Sequence, residues 1–146
     1  MNDFYEFAAD LTKKAGELLK ELYYLDFSVS YKGDDIRDVV TDVDIKINQF
    51  IVSEIKKKFP DHALYSEESA EPLNKKSEYL WTIDPIDGTS NFSRHIPHFA
   101  VCVGLMKNGV PVVGAVYNPI TNELFSFQKG MGAFLNGQKI RTSLET

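Results

Sequence analysis

The densest run of side chains able to do chemistry is Asp84-Pro85-Ile86-Asp87-Gly88-Thr89-Ser90-Asn91-Phe92. Two carboxylates placed three residues apart can converge on hard cations, which take oxygen ligands. Pro85 keeps a strand that delivers Asp84 to its tip from continuing in a simple ladder. Gly88 allows a tight backbone path, and the N–H groups beyond it are placed to open a short helix whose terminus suits phosphate. Taken alone, Asp87-Gly88 is also a common turn pair. Glu67-Glu68 adds a second acidic element. Adjacent glutamates are ordinarily solvated surface, but these two follow a short apolar run, as Asp84 does. If the two runs are neighbouring strands, Glu67 and Asp84 meet at their ends and repel unless a cation lies between them. Val40-Thr41-Asp42-Val43-Asp44 is the third element. It reads first as a helix start, with Thr41 as N-cap and Asp44 at the third helical position. A carboxylate held there is fixed and ionised, which also suits it to orienting a water.

Those residues need elements to place them. Phe4, Phe7, Ala8, Leu11, Ala15, Leu18, Leu19 and Leu22 lie on one helical face, and Asp3 with Glu6 fits a capping-box start. A second helix is expected from about Val43 to Lys58, with Val43, Ile47, Phe50, Ile51 and Ile55 as its apolar stripe and Pro60 as its stop. Residues 31–38 between them read as an exposed loop or hairpin. Strands follow at 63–65 and 79–83, with a polar loop at 70–77 between them. Asn108-Gly109 and Asn136-Gly137 mark two-residue hairpin turns. The first joins strands near 99–107 and 110–117, and the second joins 133–135 to 138–141; another strand is expected at 123–128. The fold class is α+β: two helices packed on one face of an antiparallel meander. No repeat or internal domain boundary interrupts residues 1–146.

Composition narrows the function classes. The net charge of −5 and pI near 5.2 argue against a basic surface for nucleic acid or an anionic membrane. A phosphate ester is still compatible, because bound divalent cations invert the local sign. No run approaches the roughly 18 apolar residues of a membrane span, and the N-terminus lacks a signal-peptide layout. The single cysteine, Cys102, cannot form an internal disulfide and lies in an apolar run, so it is expected to be a buried structural thiol. A cytoplasmic location is the corresponding expectation. His62, His95 and His98 match no zinc spacing and are assigned to surface or packing roles. Lys56-Lys57-Lys58 reads as a helix C-terminus that complements its dipole.

Taken together, the Val40–Asp44 element, Ser66-Glu67-Glu68-Ser69, the run from Trp81 to Phe92 and Gly130-Met131-Gly132-Ala133-Phe134-Leu135-Asn136-Gly137 resemble the inositol monophosphatase family in order and spacing. The resemblance covers nearly the whole chain. It implies the N-terminal half of a layered αβαβα sugar phosphatase fold and Mg²⁺-dependent hydrolysis of inositol monophosphate or a related sugar phosphate. Two or three Mg²⁺ ions and sensitivity to lithium are implied with it. Glu67, Asp84 and the Ile86 carbonyl would hold the first ion. Asp84 would bridge to a second, shared with Asp87, and Glu67 would assist a third. Asp44 and Thr89 would position and activate the attacking water, while Asp87, Gly88 and Thr89 would meet the substrate. Lys32 and the loop after it would lie near the metals. A homodimer is a family expectation.

The chain departs from that pattern in one respect. Family members are about twice as long, and a Trp-Asp-x-Ala-Ala-Gly stretch in their second half supplies another ligating Asp. Here the only tryptophan is Trp81, followed by Thr82. The expectation is an N-terminal metal-binding domain without its C-terminal partner. It would bind Mg²⁺ weakly and hydrolyse little by itself. Fructose-1,6-bisphosphatase, a 3′-nucleotide phosphatase, an RNA-associated factor and a non-catalytic metal-binding or regulatory module are the competing readings.

Overall fold

The computed structural model describes residues 2–32, 39–68, 74 and 76–143. Helix α1, Asp3–Tyr23, and helix α2, Asp42–Lys58, form where the apolar periodicity places them. The start of α1 differs from expectation. Asn2 is the N-cap, its side-chain oxygen accepting the Tyr5 N–H at 2.9 Å, and Asp3 already lies in the first turn beside Glu6. The Asn2 side chain, one residue earlier, reaches the orphan N–H, and the acids complement the helix dipole instead. The cap of α2 is the expected one: Thr41 and Asp44 form a reciprocal capping box.

Between the helices, β1 (Val29–Tyr31) pairs antiparallel with β2 (Val39–Thr41). Most of the expected loop, 33–38, lies outside the described residues, as do parts of the polar loop at 70–77. The main sheet has seven strands in sequence order: β3 (Ala63–Ser66), β4 (Tyr79–Asp87), β5 (Ala100–Lys107), β6 (Val110–Asn118), β7 (Glu123–Gln128), β8 (Gly132–Leu135) and β9 (Gln138–Ile140). From β4 onward it is the expected antiparallel meander. Asn108, Gly109, Asn136 and Gly137 all have positive φ, as two-residue hairpin turns require.

Two features of the sheet depart from the sequence reading. The sheet is mixed, because β3 pairs parallel with β4, Ser66 opposite Ile83. The expected strand at 79–83 also runs on through Pro85 to Asp87. Pro85 is accommodated by a register shift in which Asp84 pairs with Cys102 and Asp87 with Ala100, so three steps on β4 match two on β5. Such a bulge removes the ladder bond that proline cannot donate. Asp84 therefore lies within a strand, not at its tip.

One face of the sheet carries the core. Leu11, Ala15 and Leu19 of α1 and Val43, Ile47, Ile51 and Ile55 of α2 are buried with Trp81, Ile83, Val101, Val103 and Leu105. Each fully buried aliphatic side chain contributes roughly 1.5–3 kcal/mol. Strand alternation sends the intervening residues to the other face. Cys102 is among them. It is half-buried on the open face beside Asp84, not in the core as its apolar neighbours implied.

Candidate metal and phosphate site

The parallel pairing of β3 and β4 assembles the acidic centre. The Glu67 N–H donates to the Ile83 carbonyl at 3.1 Å, so Glu67 lies next to Asp84 where β3 ends. The Asp84 carboxyl is pushed up to about 7, first by burial, then by the charges of Glu67 and Asp87 and a hydrogen bond with Glu67. Asp84 Oδ1 is buried without a hydrogen-bond partner. A buried acceptor without a donor is costly, and two facing carboxylates cannot both ionise cheaply. A cation would relieve both. The donor set is all oxygen, which suits Mg²⁺. On chemistry, the residues present fit such an ion.

The site is open in shape. Among the described residues, no three His, Cys, Asp or Glu side chains are drawn into a ready-made cage. Glu67, Asp84, Ile86, Asp87, Gly88 and Thr89 line one cleft of about 220 Å³, together with Val39 and Ser90. Asp87 is exposed at the end of β4. The expected short helix follows as α3, Thr89–Ser93, with Gly88 at its N-cap and φ +93°. A Cβ on Gly88 would come within 3.1 Å of the His98 carbonyl, so the tight path requires glycine for both conformation and space.

Asp44 reaches this cleft from α2. Its Oδ2 accepts the Thr41 N–H at 2.7 Å and the Thr41 hydroxyl at 2.5 Å. The Thr89 hydroxyl is within 3.0 Å of Asp44 Oδ1 and 2.9 Å of the Ile86 carbonyl, and its single proton serves one at a time. Asp44 is almost fully buried, and burial raises its pKa against the bonds from Thr41 and Thr89 that lower it. The predicted site residues Asp44, Glu67, Asp84, Ile86, Asp87, Gly88 and Thr89 are thus within one neighbourhood.

Several supports were not read from the sequence. Ser66 donates to Asn48 Oδ1 on α2 at 2.7 Å and accepts the Glu68 N–H at 3.2 Å, which ties the Glu67-Glu68 pair to the helix layer. Lys32, which the resemblance put near the metals, pairs with Glu68 at 2.9 Å and stands 3.8 Å from Glu67. Burial and the nearby Asp84, Asp87 and Glu67 push the Cys102 thiol up to about 12, so it is an inert neighbour of the site.

A carboxylate cleft on a mixed sheet is thus backed by a helix-capped aspartate. The sequence profile described as the inositol monophosphatase family matches residues 1–146, and the chain belongs to that family. It is 38% identical over 149 residues to inositol monophosphatase 3 of Solanum lycopersicum, covering 100% of this chain and 55% of that protein. It is 37% identical over 143 residues to the Nus factor SuhB of Escherichia coli (strain K12), covering 98% and 54%. A crystal structure of an IMPase/NADP phosphatase complexed with Mg²⁺ and phosphate superimposes with a TM-score of 0.83 at 27% identity, covering 93% of this chain and 51% of that one. The chain spans about half the length of the relatives it matches. No described helix is long and apolar enough to cross a membrane.

Proposed function

We propose that this chain carries the metal-binding half of a Mg²⁺-dependent phosphomonoesterase acting on inositol monophosphate or a related sugar phosphate. The observation that carries the reading is Asp84, with a buried partnerless oxygen and a carboxyl hydrogen-bonded to that of Glu67. Membership of the family and the Mg²⁺ and phosphate in a structural relative support it. Glu67, Asp84, the Ile86 carbonyl and Asp87 would hold two or three ions. Bound Mg²⁺ supplies charge neutralisation at the phosphate and acidification of water.

The rest of the chemistry belongs to side chains of this chain. With its proton on Asp44 Oδ1, the Thr89 oxygen presents lone pairs to a water. As the water oxygen attacks phosphorus, its proton passes to Thr89 and the proton of Thr89 passes to Asp44. The ester P–O bond breaks, the leaving alcohol oxygen takes a proton from a solvent water, and Asp44 returns its proton to solvent. Burial of Asp44 raises its basicity, and the capping box holds its other oxygen still. The Gly88 and Thr89 amides would meet the phosphate beside Asp87.

Inhibition by lithium, a homodimer and a cytoplasmic setting accompany this reading as family expectations. A regulatory role, as the name of the Nus factor relative implies for that protein, is the second reading. The net charge of −5 gives it little surface for nucleic acid. Isothermal titration with Mg²⁺ of the wild type and Asp84→Asn tests the site, and release of phosphate from inositol 1-phosphate tests the activity. We expect weak binding that the variant abolishes, and little hydrolysis by this chain alone. Equal binding by the variant would overturn the site. Robust hydrolysis by the 146 residues would overturn the need for further chain.

A further inference from the structure

His62 lies away from the carboxylates, at the opposite end of the strand pair that carries them. Its ring stacks on Phe59 at 4.9 Å between centroids and 9° between planes, and on Tyr79 at 4.6 Å and 13°. Trp81 Nε1–H donates to His62 Nδ1 at 3.1 Å. Nδ1 therefore carries no proton, and the neutral ring keeps its proton on Nε2. The bond joins the residue just before β3 to the third residue of β4. Five residues beyond His62, the same strand delivers Glu67 to Asp84.

We propose that His62 is a proton-sensitive latch holding β3 against β4, and through β3 the position of Glu67. A second proton can enter the ring only at Nδ1. It would turn the acceptor into a donor facing the Trp81 N–H and leave that buried group without a partner.

The charges around the ring are mixed. Lys58, at the end of α2, lies 5.6 Å from the centre of the Phe59 ring and 3.4 Å from Asp3. Lys107, on β5, lies 4.9 Å over Tyr79 and 3.8 Å from Glu78. Asp61 and Glu78 favour the imidazolium, but burial outweighs them and lowers the His62 pKa. The proton then enters only below the usual histidine range. Entry loosens the start of β3, and acid would free Glu67 before the core melts.

The latch can be followed directly, because Trp81 is the only tryptophan. Wild type and His62→Asn are titrated from pH 8 to pH 4.5 by fluorescence; asparagine Oδ1 can accept the indole N–H but does not titrate. Wild type should change emission with a midpoint below 6.5 and the variant should not. Hydrogen exchange at the amides of residues 63–67, corrected for intrinsic rate, should quicken at least tenfold in the wild type below that midpoint and not in the variant. Long-range ¹H–¹⁵N NMR on the wild type alone reads the tautomer at pH 7.5, which should be Nε2–H. This measurement holds even if the variant fails to fold. A proton on Nδ1 at pH 7.5, a midpoint at or above 6.5, the same transition in both proteins, or unchanged exchange at 63–67 would each overturn the latch. None of these readouts depends on catalysis.

Discussion

At the scale of single residues, two groups with shifted protons, Asp84 and His62, pull stability in opposite directions. Without metal, Asp84 has a folded pKa near 7, above its unfolded value of 3.8. The folded state then holds its proton more tightly than the unfolded chain, and this contribution is fully present below 3.8 and lost as pH rises through 7. His62 has a lowered folded pKa, so its contribution is present above the unfolded value of 6.5 and lost as pH falls. Urea denaturation between pH 5 and 7.5 separates them. Metal-free wild type should lose stability toward pH 7.5, and Mg²⁺ should flatten the trend by taking the place of the proton. Asp84→Asn should be more stable than wild type at pH 7.5 without metal, and its remaining trend should reverse, with stability rising with pH. A variant that follows the wild-type slope would show that Asp84 is not the proton-binding centre. The acids of this site were legible because aspartate-proline and aspartate-glycine pairs concentrate carboxylates where a chain must turn or bulge. The hydrogen bonds of Asn48 and Ser66 were not legible, because only tertiary packing decides which polar side chains meet; Lys32 was placed near the acids by the family resemblance alone.

At the scale of elements, the local signals were the readable ones. Apolar periodicity marked α1 and α2, a threonine and an aspartate three residues apart marked the α2 cap, and Asn-Gly pairs marked the hairpins. What escaped was pairing at a distance. The parallel β3–β4 ladder and the passage of β4 through Pro85 depend on neighbours, not on local preference. The cap joins stability to the site. Thr41→Val removes the hydroxyl that accepts the Asp44 N–H and donates to Asp44 Oδ2. It should cost about 1–2 kcal/mol in urea denaturation, while Thr41→Ser stays near wild type. Gly88→Ala tests the next junction. A side chain there is forced into the left-handed region and against the His98 carbonyl. The expected loss is again about 1–2 kcal/mol. Because the strain falls at the start of α3, Mg²⁺ binding should weaken in the titration as well.

At the scale of the whole molecule, the described residues cover the sheet on one face only. Tyr65, Val116, Phe125 and Phe127 are each more than a third exposed on the other face. They line a groove of about 650 Å³ that runs from Glu67 and Asp84 across Cys102, Gly104 and Gly114. Gly104 and Gly114 face each other across β5 and β6, and a Cβ on Gly114 would collide with the Phe127 ring. Contiguous apolar surface of this kind drives association in soluble proteins. This chain should therefore bind the dye ANS in its folded state and sediment as larger species as concentration rises. Replacing both Phe125 and Phe127 with glutamate should remove most of the dye signal and favour the monomer. Their side chains lie opposite the helix-packed core, so the urea midpoint should move by no more than a surface substitution does, within about 0.5 kcal/mol for each. Alternation along β7 is the reason: Ser126, between them, turns inward to hydrogen-bond the Tyr5 hydroxyl at 2.9 Å. A cooperative loss of structure in the double variant would mean that the open face contributes to the fold and is not simply surface. Unchanged dye binding would place the apolar site elsewhere. If instead the variant folds, stays monomeric and still binds Mg²⁺ as wild type does, the acidic cleft and the apolar groove are separable parts of one sheet face.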